Sequence, residues 1–250
     1  MDDGDQLTML AKDLAQGKVD LIITVGTLAS EAAARATKSV PIVFSQGNDP
    51  VESGLVASLS RPGGNITGFT QGAYDDKLLQ ILSDALPSVS GIAIPMLQYV
   101  EPSTLLAAQA LGVQIRGVKI ESWDDWDTFF AGARRAGADA VLIFDFPGFG
   151  RNPERVRRIA TGAVKHRFPA IAPYRAFAVA GGLLSYGPAP GQQWPRMAAQ
   201  IDKIFHGATP GDLPVEQPTK FELVINIKTA KALGLTLPQP LLLRADELIQ

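Results

Sequence analysis

The sequence predicts an α/β protein with two lobes, each built on a parallel sheet. Strand-like apolar runs alternate with helical patterns along the chain, an order typical of parallel strands joined by crossover helices. The runs fall into two groups, residues 19–70 and 91–187, with a helical segment at 72–86 between them. Several runs end in small polar residues, as in open α/β sheets that bind ligands beyond the carboxyl ends of their strands.

The composition excludes several function classes. The 250 residues carry 23 basic and 25 acidic side chains, a net charge of -2 that gives no reason to expect nucleic acid or an anionic membrane as partner. The absence of cysteine excludes disulfides and thiol nucleophiles. The two histidines, His166 and His206, lie near predicted helix ends, so we expect no metal and no cofactor. The apolar runs are too short to span a membrane, and the acidic start predicts no signal peptide in this chain.

The first group of elements begins with a helix, because Leu7, Leu10, Ala11 and Leu14 recur at helical spacing. Residues 19–25 are rich in β-branched side chains and predict a strand buried on both faces. A further helix is predicted at 28–37, and further strands at 42–44 and 66–69. Because a parallel sheet does not begin with a lone helix, we expect at least one preceding strand to be absent from this chain.

The second group alternates in the same way. Strands are predicted at residues 91–97, 113–120, 140–144, 169–172 and 182–185, and helices start near 75, 102, 122 and 152. Asp75 or Asp76 is expected to cap the first of these helices, and Ser122 with Asp125 resembles a capping box.

The chain closes with a helix at 193–206, a strand at 221–226 and a short helix at 229–233. The long helix is expected to face inward with Trp194, Met197, Ala198, Ile201, Ile204 and Phe205. We assign residues 1–71 and 188–250 to the first lobe, which lacks its usual first strands, and residues 72–187 to the second. Two such lobes with facing strand ends predict a cleft that closes on a ligand by hinge motion.

The residues do not favour catalysis. Asp49 and Asp145 both follow strands and can serve as paired carboxylates, but Asp49 can equally cap the next turn and Asp145 can simply end its strand. The glycine patterns of dinucleotide and P-loop sites are missing from the sequence. We therefore predict a binding protein and not an enzyme.

Candidate ligand contacts lie at strand ends in both lobes. In the first lobe, Gly26, Thr27 and Leu28 form a turn into a helix, whose free N–H groups suit a carboxylate or a phosphate. The first lobe also offers Asn48, Asp49 and Thr70, and Thr70 is a hinge candidate as well. In the second lobe, Phe146, Tyr174 and Tyr186 can form an aromatic wall, with Arg175 as a fixed positive charge. The alternative is that both tyrosines pack at the hinge and that Arg175 pairs with Asp145.

Four stretches of the sequence resemble one known family. They are residues 41–44 (PIVF) with 49–51 (DPV), 59–70 (LSRPGGNITGFT), 180–187 (AGGLLSYG) and 217–235 (QPTKFELVINIKTAKALGL). Together they are similar to the ABC-transporter substrate-binding proteins of the TrpX-like group, which is often associated with aromatic amino acid uptake. The resemblance runs nearly end to end.

The resemblance implies a type I periplasmic-binding-protein fold with two Rossmann-like lobes. It also implies aromatic amino acids as one ligand class. From the residues themselves we predict a small carboxylate-bearing ligand, whose carboxylate meets the turn at Gly26 and Thr27, and we expect a monomer. The implied location is the periplasm or another extracytoplasmic space, and the implied partners are an ABC permease and its ATPase.

The chain departs from the family pattern in three places. It resembles a member without its signal sequence and first strands, so we expect it to be less stable than a complete relative. The region after Met96 looks shorter than usual, and residues 144–148 (FDFPG) replace an expected Pro-Asp order. The alternative function is an effector-sensing domain of a transcriptional regulator, which can share this fold, although no helix-turn-helix or basic patch is evident.

Overall fold

The computed structural model describes residues 3–46, 49–72, 74–96, 102–120, 122, 124–144, 152–191 and 193–250. The chain divides into two compact units. The first unit comprises Met1–Ala73 and Ala189–Lys220, and the second comprises Tyr74–Pro188 and Phe221–Gln250. Among the described residues, no helix combines the length and the apolar character needed to cross a membrane.

The first unit is built on a parallel sheet of three described strands in the order β1-β2-β3. Its elements are α1 (Asp3–Gln16), β1 (Ile22–Val25), α2 (Thr27–Ala36), β2 (Ile42–Gln46), β3 (Ile66–Thr70), α8 (Gln193–Phe205) and a 3₁₀ turn (Pro210–Asp212). One face of the sheet packs Ile42 and Phe44 against Ala33 of α2. The other face packs Val43 and Phe69 against α8.

The first strand is exposed on one face, contrary to the expectation of a strand buried on both. Ile22 and Thr24 are buried, whereas the side chains of Ile23 and Val25 are 52% and 36% exposed. In parallel register Ile23 lies beside Val43, so both point to the face that α8 covers over β2 and β3. Among the described residues β1 pairs with β2 alone. The side chains of Ile23 and Val25 are exposed because α8 covers this face of the sheet only over β2 and β3.

The second unit contains a larger mixed sheet. Its elements are α3 (Asp75–Ala85), β4 (Gly91–Met96), α4 (Pro102–Ala110), β5 (Gln114–Lys119), α5 (Trp126–Arg135), β6 (Ala140–Leu142), α6 (Pro153–Lys165), β7 (Ala170–Ala172), α7 (Arg175–Val179), β8 (Leu184–Pro188), β9 (Phe221–Asn226), α9 (Ile227–Leu233), α10 (Gln239–Leu243) and β10 (Glu247–Ile249). The strand order is β10-β9-β8-β7-β6-β4-β5, and β8 with β9 is the antiparallel pair among parallel neighbours. Apolar clusters lie on both faces of this sheet.

The C-terminal segment belongs to the second unit, which differs from our assignment of residues 188–250 to the first lobe. The reason is the pairing of β9, which runs antiparallel to β8 from Leu184 opposite Ile225 to Pro188 opposite Phe221. The last strand, β10, then pairs with β9. Of the segment that we assigned to the first lobe, Ala189–Lys220 does join the first unit.

Two helix starts differ from the expected caps. The residue before α3 is Tyr74, whose side chain makes no capping hydrogen bond, and Asp75 and Asp76 lie in the first turn. Acidic residues there still favour the helix, because they oppose the positive end of its dipole. The helix α5 begins at Trp126, and Asp125 precedes it without a side-chain cap.

The inward face of α8 also differs from the expectation. Trp194 and Phe205 are 51% and 62% exposed, so they do not face inward. The stripe that points to the sheet is Gln193, Met197, Gln200 and Ile204, at the i, i+4, i+7, i+11 spacing of one helix face. Gln200 is tolerated there because its amide nitrogen donates to the carbonyl oxygen of Pro214 at 2.9 Å and to Glu216 at 3.2 Å.

Candidate functional site

The turn after β1 is held in one shape by three hydrogen bonds. The N–H of Gly26 donates to the carbonyl oxygen of Ser45 at 2.7 Å. The N–H and the hydroxyl of Ser30 both donate to the carbonyl oxygen of Gly26, at 3.1 and 2.8 Å. Gly26 has a φ of 95°, a conformation that glycine adopts readily. This geometry starts α2 at Thr27, one residue earlier than predicted.

The first turn of α2 presents backbone donors. Because the first intrahelical bond of this helix is donated by Ser30, the N–H groups of Thr27, Leu28 and Ala29 have no acceptor among the described residues. The side chain of Leu28 is exposed, whereas Ser30 is buried and bonds Thr24 at 2.9 Å. Three free N–H groups at the positive end of a helix dipole suit an anionic group.

Thr70 lies at the same edge of the sheet as this turn. The register places Val25 beside Ser45 and Gln46 beside Thr70, so the carboxyl ends of β1, β2 and β3 lie side by side. Adjacent strands are about 4.8 Å apart, so Thr70 lies about 10 Å from the turn. Thr70 is buried, its hydroxyl accepts from the N–H of Gly72 at 3.3 Å, and its own N–H donates to Glu216.

Asp49 is occupied in a local turn. One oxygen of its carboxylate accepts from the N–H of Val51 at 2.7 Å and from that of Glu52 at 3.3 Å. These are the bonds of a capped turn, the alternative considered for this residue. Asn48 lies outside the described residues.

Tyr174 lies in the second unit, between β7 and α7. Its ring packs at the margin of the cluster that contains Phe129, Phe130 and Phe177. The neighbouring residue, Pro173, comes so close to β8 that a Cβ added to Gly187 would lie 1.9 Å from its carbonyl oxygen. Gly187 therefore allows this loop to lie against the end of β8.

Tyr186 packs on the other cluster of the second unit. Its ring stacks on Phe221 with centroids 5.5 Å apart, and Tyr74 meets Phe221 edge-on at the same distance. Burial raises the pKa of the Tyr186 phenol, Asp246 raises it further, and Arg244 lowers it. The phenol is therefore neutral at pH 7. The structure thus places Tyr174 and Tyr186 in different clusters of the second unit.

Arg175 has an acidic partner within the second unit. Its guanidinium makes two hydrogen bonds to the carboxylate of Glu247 in β10, at 2.8 and 2.7 Å. Asp145, the alternative partner of Arg175, and Phe146, the third member of the predicted aromatic wall, both lie outside the described residues. The carboxylate of Glu247 therefore balances the positive charge of Arg175.

Sequence reasoning missed the contact between Gln193 and Ser45 in the first unit. The amide nitrogen of Gln193, the first residue of α8, donates to the hydroxyl oxygen of Ser45 at 3.2 Å. Helical spacing was the available signal, because Gln193 is in phase with Met197 and Ile204. The apolar side chain of Trp194 instead favoured the adjacent helix face, which is exposed at Trp194.

The described residues offer no cluster for a metal ion. Among them, no three histidine, aspartate or glutamate side chains lie together as a metal would require. His166 ends α6, stacks on Phe130 and lies 3.0 Å from Asp127. His206 follows α8 and bonds the carbonyl oxygen of Asp202.

The family model described as ABC transporter substrate binding protein matches residues 1–249. This chain belongs to the ABC transporter substrate-binding protein family. A curated relative, the tyrosine-binding protein of Clostridioides difficile (strain R20291), is 25% identical over 229 residues, which are 90% of this chain. The match spans 66% of that relative's length.

Two solved structures give the fold. The ABC domain in complex with L-Trp from Streptococcus pneumonia superposes with a TM-score of 0.84 at 23% identity, covering 99% of this chain and 86% of that one. A conserved domain protein from Vibrio cholerae superposes with a TM-score of 0.86 at 22% identity, covering 98% and 84%. The fold is that of type I periplasmic binding proteins, as the sequence motifs implied.

Proposed function

We propose that this chain is the solute-binding component of an ABC importer and that it binds a small aromatic carboxylate, with an aromatic amino acid as the first candidate. The observation that carries the proposal is the family match over residues 1–249. The tyrosine-binding relative and the L-Trp complex support an aromatic ligand. Both of these proteins are less than 30% identical to this chain, so they support a class of ligand and not one particular amino acid.

In this proposal the first unit binds the carboxylate. The N–H groups of Thr27, Leu28 and Ala29 are the supporting feature, because they carry no acceptor in the described structure and lie at the end of the sheet where ligands of α/β proteins bind. Thr70 lies at the same edge. Asn48 stays a candidate contact. Asp49 can offer the ligand only its second carboxylate oxygen, because the first accepts the N–H groups of Val51 and Glu52.

The aromatic part of the ligand is assigned to the second unit, with Phe146, Tyr174 and Tyr186 as candidate contacts. Both described tyrosines are half-buried, so each has an exposed portion to offer. A stacked aromatic pair such as Tyr186 with Phe221 gives a rigid apolar surface. Arg175 stays in the proposal as a charge already balanced by Glu247.

The protein is proposed to bind without chemistry, outside the cytoplasm, and to deliver its ligand to a permease driven by an ATPase. Ligand binding that shifts a population of conformations explains how a permease distinguishes loaded from empty protein. A transcription-regulator role stays the alternative, and no observation on the described residues favours it.

The test is a thermal-shift screen of the full chain at pH 7 against the twenty amino acids, 4-hydroxybenzoate and simple carboxylates. A ligand at about a hundred times its Kd adds about 2.7 kcal/mol of stability, which corresponds to a rise in Tm of about 5 to 10 °C for a chain of this size. We expect that rise with L-tyrosine or L-tryptophan. A screen in which only non-aromatic ligands raise the Tm would contradict the proposed ligand class.

A further inference from the structure

The pair formed by Ser45 and Gln193 stands at the carboxyl end of β2, the central strand of the described sheet in the first unit. Ser45 is the last residue of that strand with a described side chain, and it is 4% exposed. By strand alternation its side chain points to the same face as Val43, which is the face that α8 covers. The first residue of α8 supplies its partner.

The hydrogen bond between the two side chains leaves the proton of the Ser45 hydroxyl unused. Gln193 donates its amide N–H to the Ser45 oxygen, so that oxygen acts as the acceptor. A serine hydroxyl also carries one proton to donate, and no described atom accepts it. A buried donor without an acceptor costs free energy, so a site of this kind favours a group that supplies the acceptor.

The backbone around Ser45 connects this donor to the turn of α2. The carbonyl oxygen of Ser45 accepts the N–H of Gly26, which is the residue before the three free N–H groups of α2. The hydroxyl proton of Ser45 and these N–H groups are therefore donors at neighbouring strand ends. Each of them is uncharged, and each prefers an anionic acceptor to a cation.

We infer that Ser45 and Gln193 are specificity-determining residues of this protein, and that the Ser45 hydroxyl, oriented by Gln193, donates a hydrogen bond to the carboxylate of the bound ligand. This inference rests on the proposed function, since it names further residues of the same carboxylate site. Gln193 acts as a positioning residue: its amide fixes the Ser45 oxygen as an acceptor and directs the hydroxyl proton to the ligand.

The test compares Gln193→Leu with Gln193→Glu by isothermal titration with L-tyrosine and L-tryptophan at pH 7. If Gln193 only anchors α8 to the sheet, Gln193→Leu loses the anchoring bond, whereas Gln193→Glu keeps one by accepting the Ser45 proton. In that case Gln193→Leu lowers the affinity more. If the pair binds the ligand carboxylate, Gln193→Glu accepts the Ser45 proton and also repels the ligand. In that case Gln193→Glu lowers the affinity more. The two roles therefore predict opposite orders.

We expect Gln193→Glu to weaken binding about hundredfold, and Gln193→Leu and Ser45→Ala about tenfold, because a hydrogen bond to a charged group contributes about that much. Gln109→Glu is the matched control, since it adds the same charge at an exposed position of α4 in the second unit, and it should change affinity less than twofold. The Tm of each variant is measured alongside, so that a loss of folding is recognised.

The outcomes separate the two proposals. Binding by the wild type with leucine as the worse variant, or with all variants within twofold, overturns the inference and leaves the proposed function standing. A stronger affinity in Gln193→Glu also overturns it, since it would mean that the pair contacts the ammonium group. A wild type that binds neither amino acid overturns the proposed ligand class, and the inference falls with it.

Discussion

The carboxylate of Asp139 accepts three hydrogen bonds through one oxygen. The donors are the backbone N–H groups of Ser90 and Gly91 and the hydroxyl of Ser90, at 2.8, 2.9 and 2.8 Å. These bonds tie the start of β6 to the start of β4. Donation from the backbone of Ser90 and then of Gly91 lowers the pKa of Asp139 below its ordinary value of 3.8, against a smaller opposing effect of burial.

A lowered pKa makes stability depend on pH in one direction. Asp139 stabilises the fold at pH values above its ordinary pKa of 3.8, and that contribution is lost as the pH falls through the lowered pKa of the folded state. Because Asp139 is exposed and solvent screens its interactions, Asp139→Asn should reduce the free energy of unfolding by no more than about 1 kcal/mol at pH 7. The difference should shrink below pH 4. Urea unfolding across this pH range measures it.

The exposed Asp13 in α1 provides the control for that experiment. Asp13→Asn should change the free energy of unfolding by less than about 0.5 kcal/mol at pH 7. If the effect of Asp139→Asn is the same at pH 7 and at pH 3.5, the hydrogen bonds to the ionised carboxylate are not its cause.

Tyr186 is the second residue whose role can be separated experimentally. Tyr186→Phe keeps the stack on Phe221 and removes only the hydroxyl, whereas Tyr186→Ala also removes the stack, at a cost to stability of about 2 kcal/mol. If the ring face contacts the ligand, alanine weakens L-tyrosine binding at least tenfold and phenylalanine changes it little. Titration calorimetry measures both, and Tyr174→Ala and Tyr174→Phe extend the test to the other candidate.

An unchanged affinity in Tyr186→Ala and Tyr174→Ala would remove both rings from the ligand site. They would then be packing residues of their two clusters, as the alternative interpretation of the sequence holds.

At the scale of elements, β1 carries an apolar surface that α8 leaves uncovered. Ile23→Thr should change the free energy of unfolding by less than about 0.5 kcal/mol, since Ile23 is half exposed, and should lower aggregation because this strand edge is apolar. The matched change in the same strand, Ile22→Thr, should cost about 2 kcal/mol or more, since Ile22 is 3% exposed. Urea unfolding and light scattering on heating measure the two effects, and equal costs would contradict the burial pattern.

Most elements were predictable, because hydrophobic periodicity is a local signal. The runs that became β2, β3 and β6 needed only their own residues to be recognised. The pairing of β9 with β8 was not predictable, since Ile225 and Leu184 lie 41 positions apart in the sequence and nothing local sets their register. The same holds for α8, where the partners of Gln193 and Gln200 lie in distant segments.

The candidate site was predictable in part. Gly26 and Thr27 stood out because a glycine between an apolar strand and a helix predicts a turn with free N–H groups, and the structure has that turn. The bond from Arg175 to Glu247 could not be foreseen, because it joins α7 to β10 across 72 positions. The contact of Ser45 could not be predicted, because its partner Gln193 lies in a helix that begins almost 150 residues later.

At the scale of the whole molecule, the chain has two units, each with its own sheet and core, and the candidate contacts are divided between them. The free N–H groups of Thr27, Leu28 and Ala29 belong to the first unit, and the aromatic rings of Tyr174 and Tyr186 belong to the second. The proposed ligand is an aromatic carboxylate. A transport role adds the expectation that such a ligand is released unchanged.

The most direct test of the central claim is isothermal titration of the full chain with L-tyrosine and with L-tryptophan, followed by recovery of the ligand from the complex. We predict saturable binding of at least one of them at one site per chain, with the ligand recovered chemically intact. Absence of binding heat for both, or recovery of an altered ligand, would contradict the claim that this member of the family binds and carries an aromatic carboxylate.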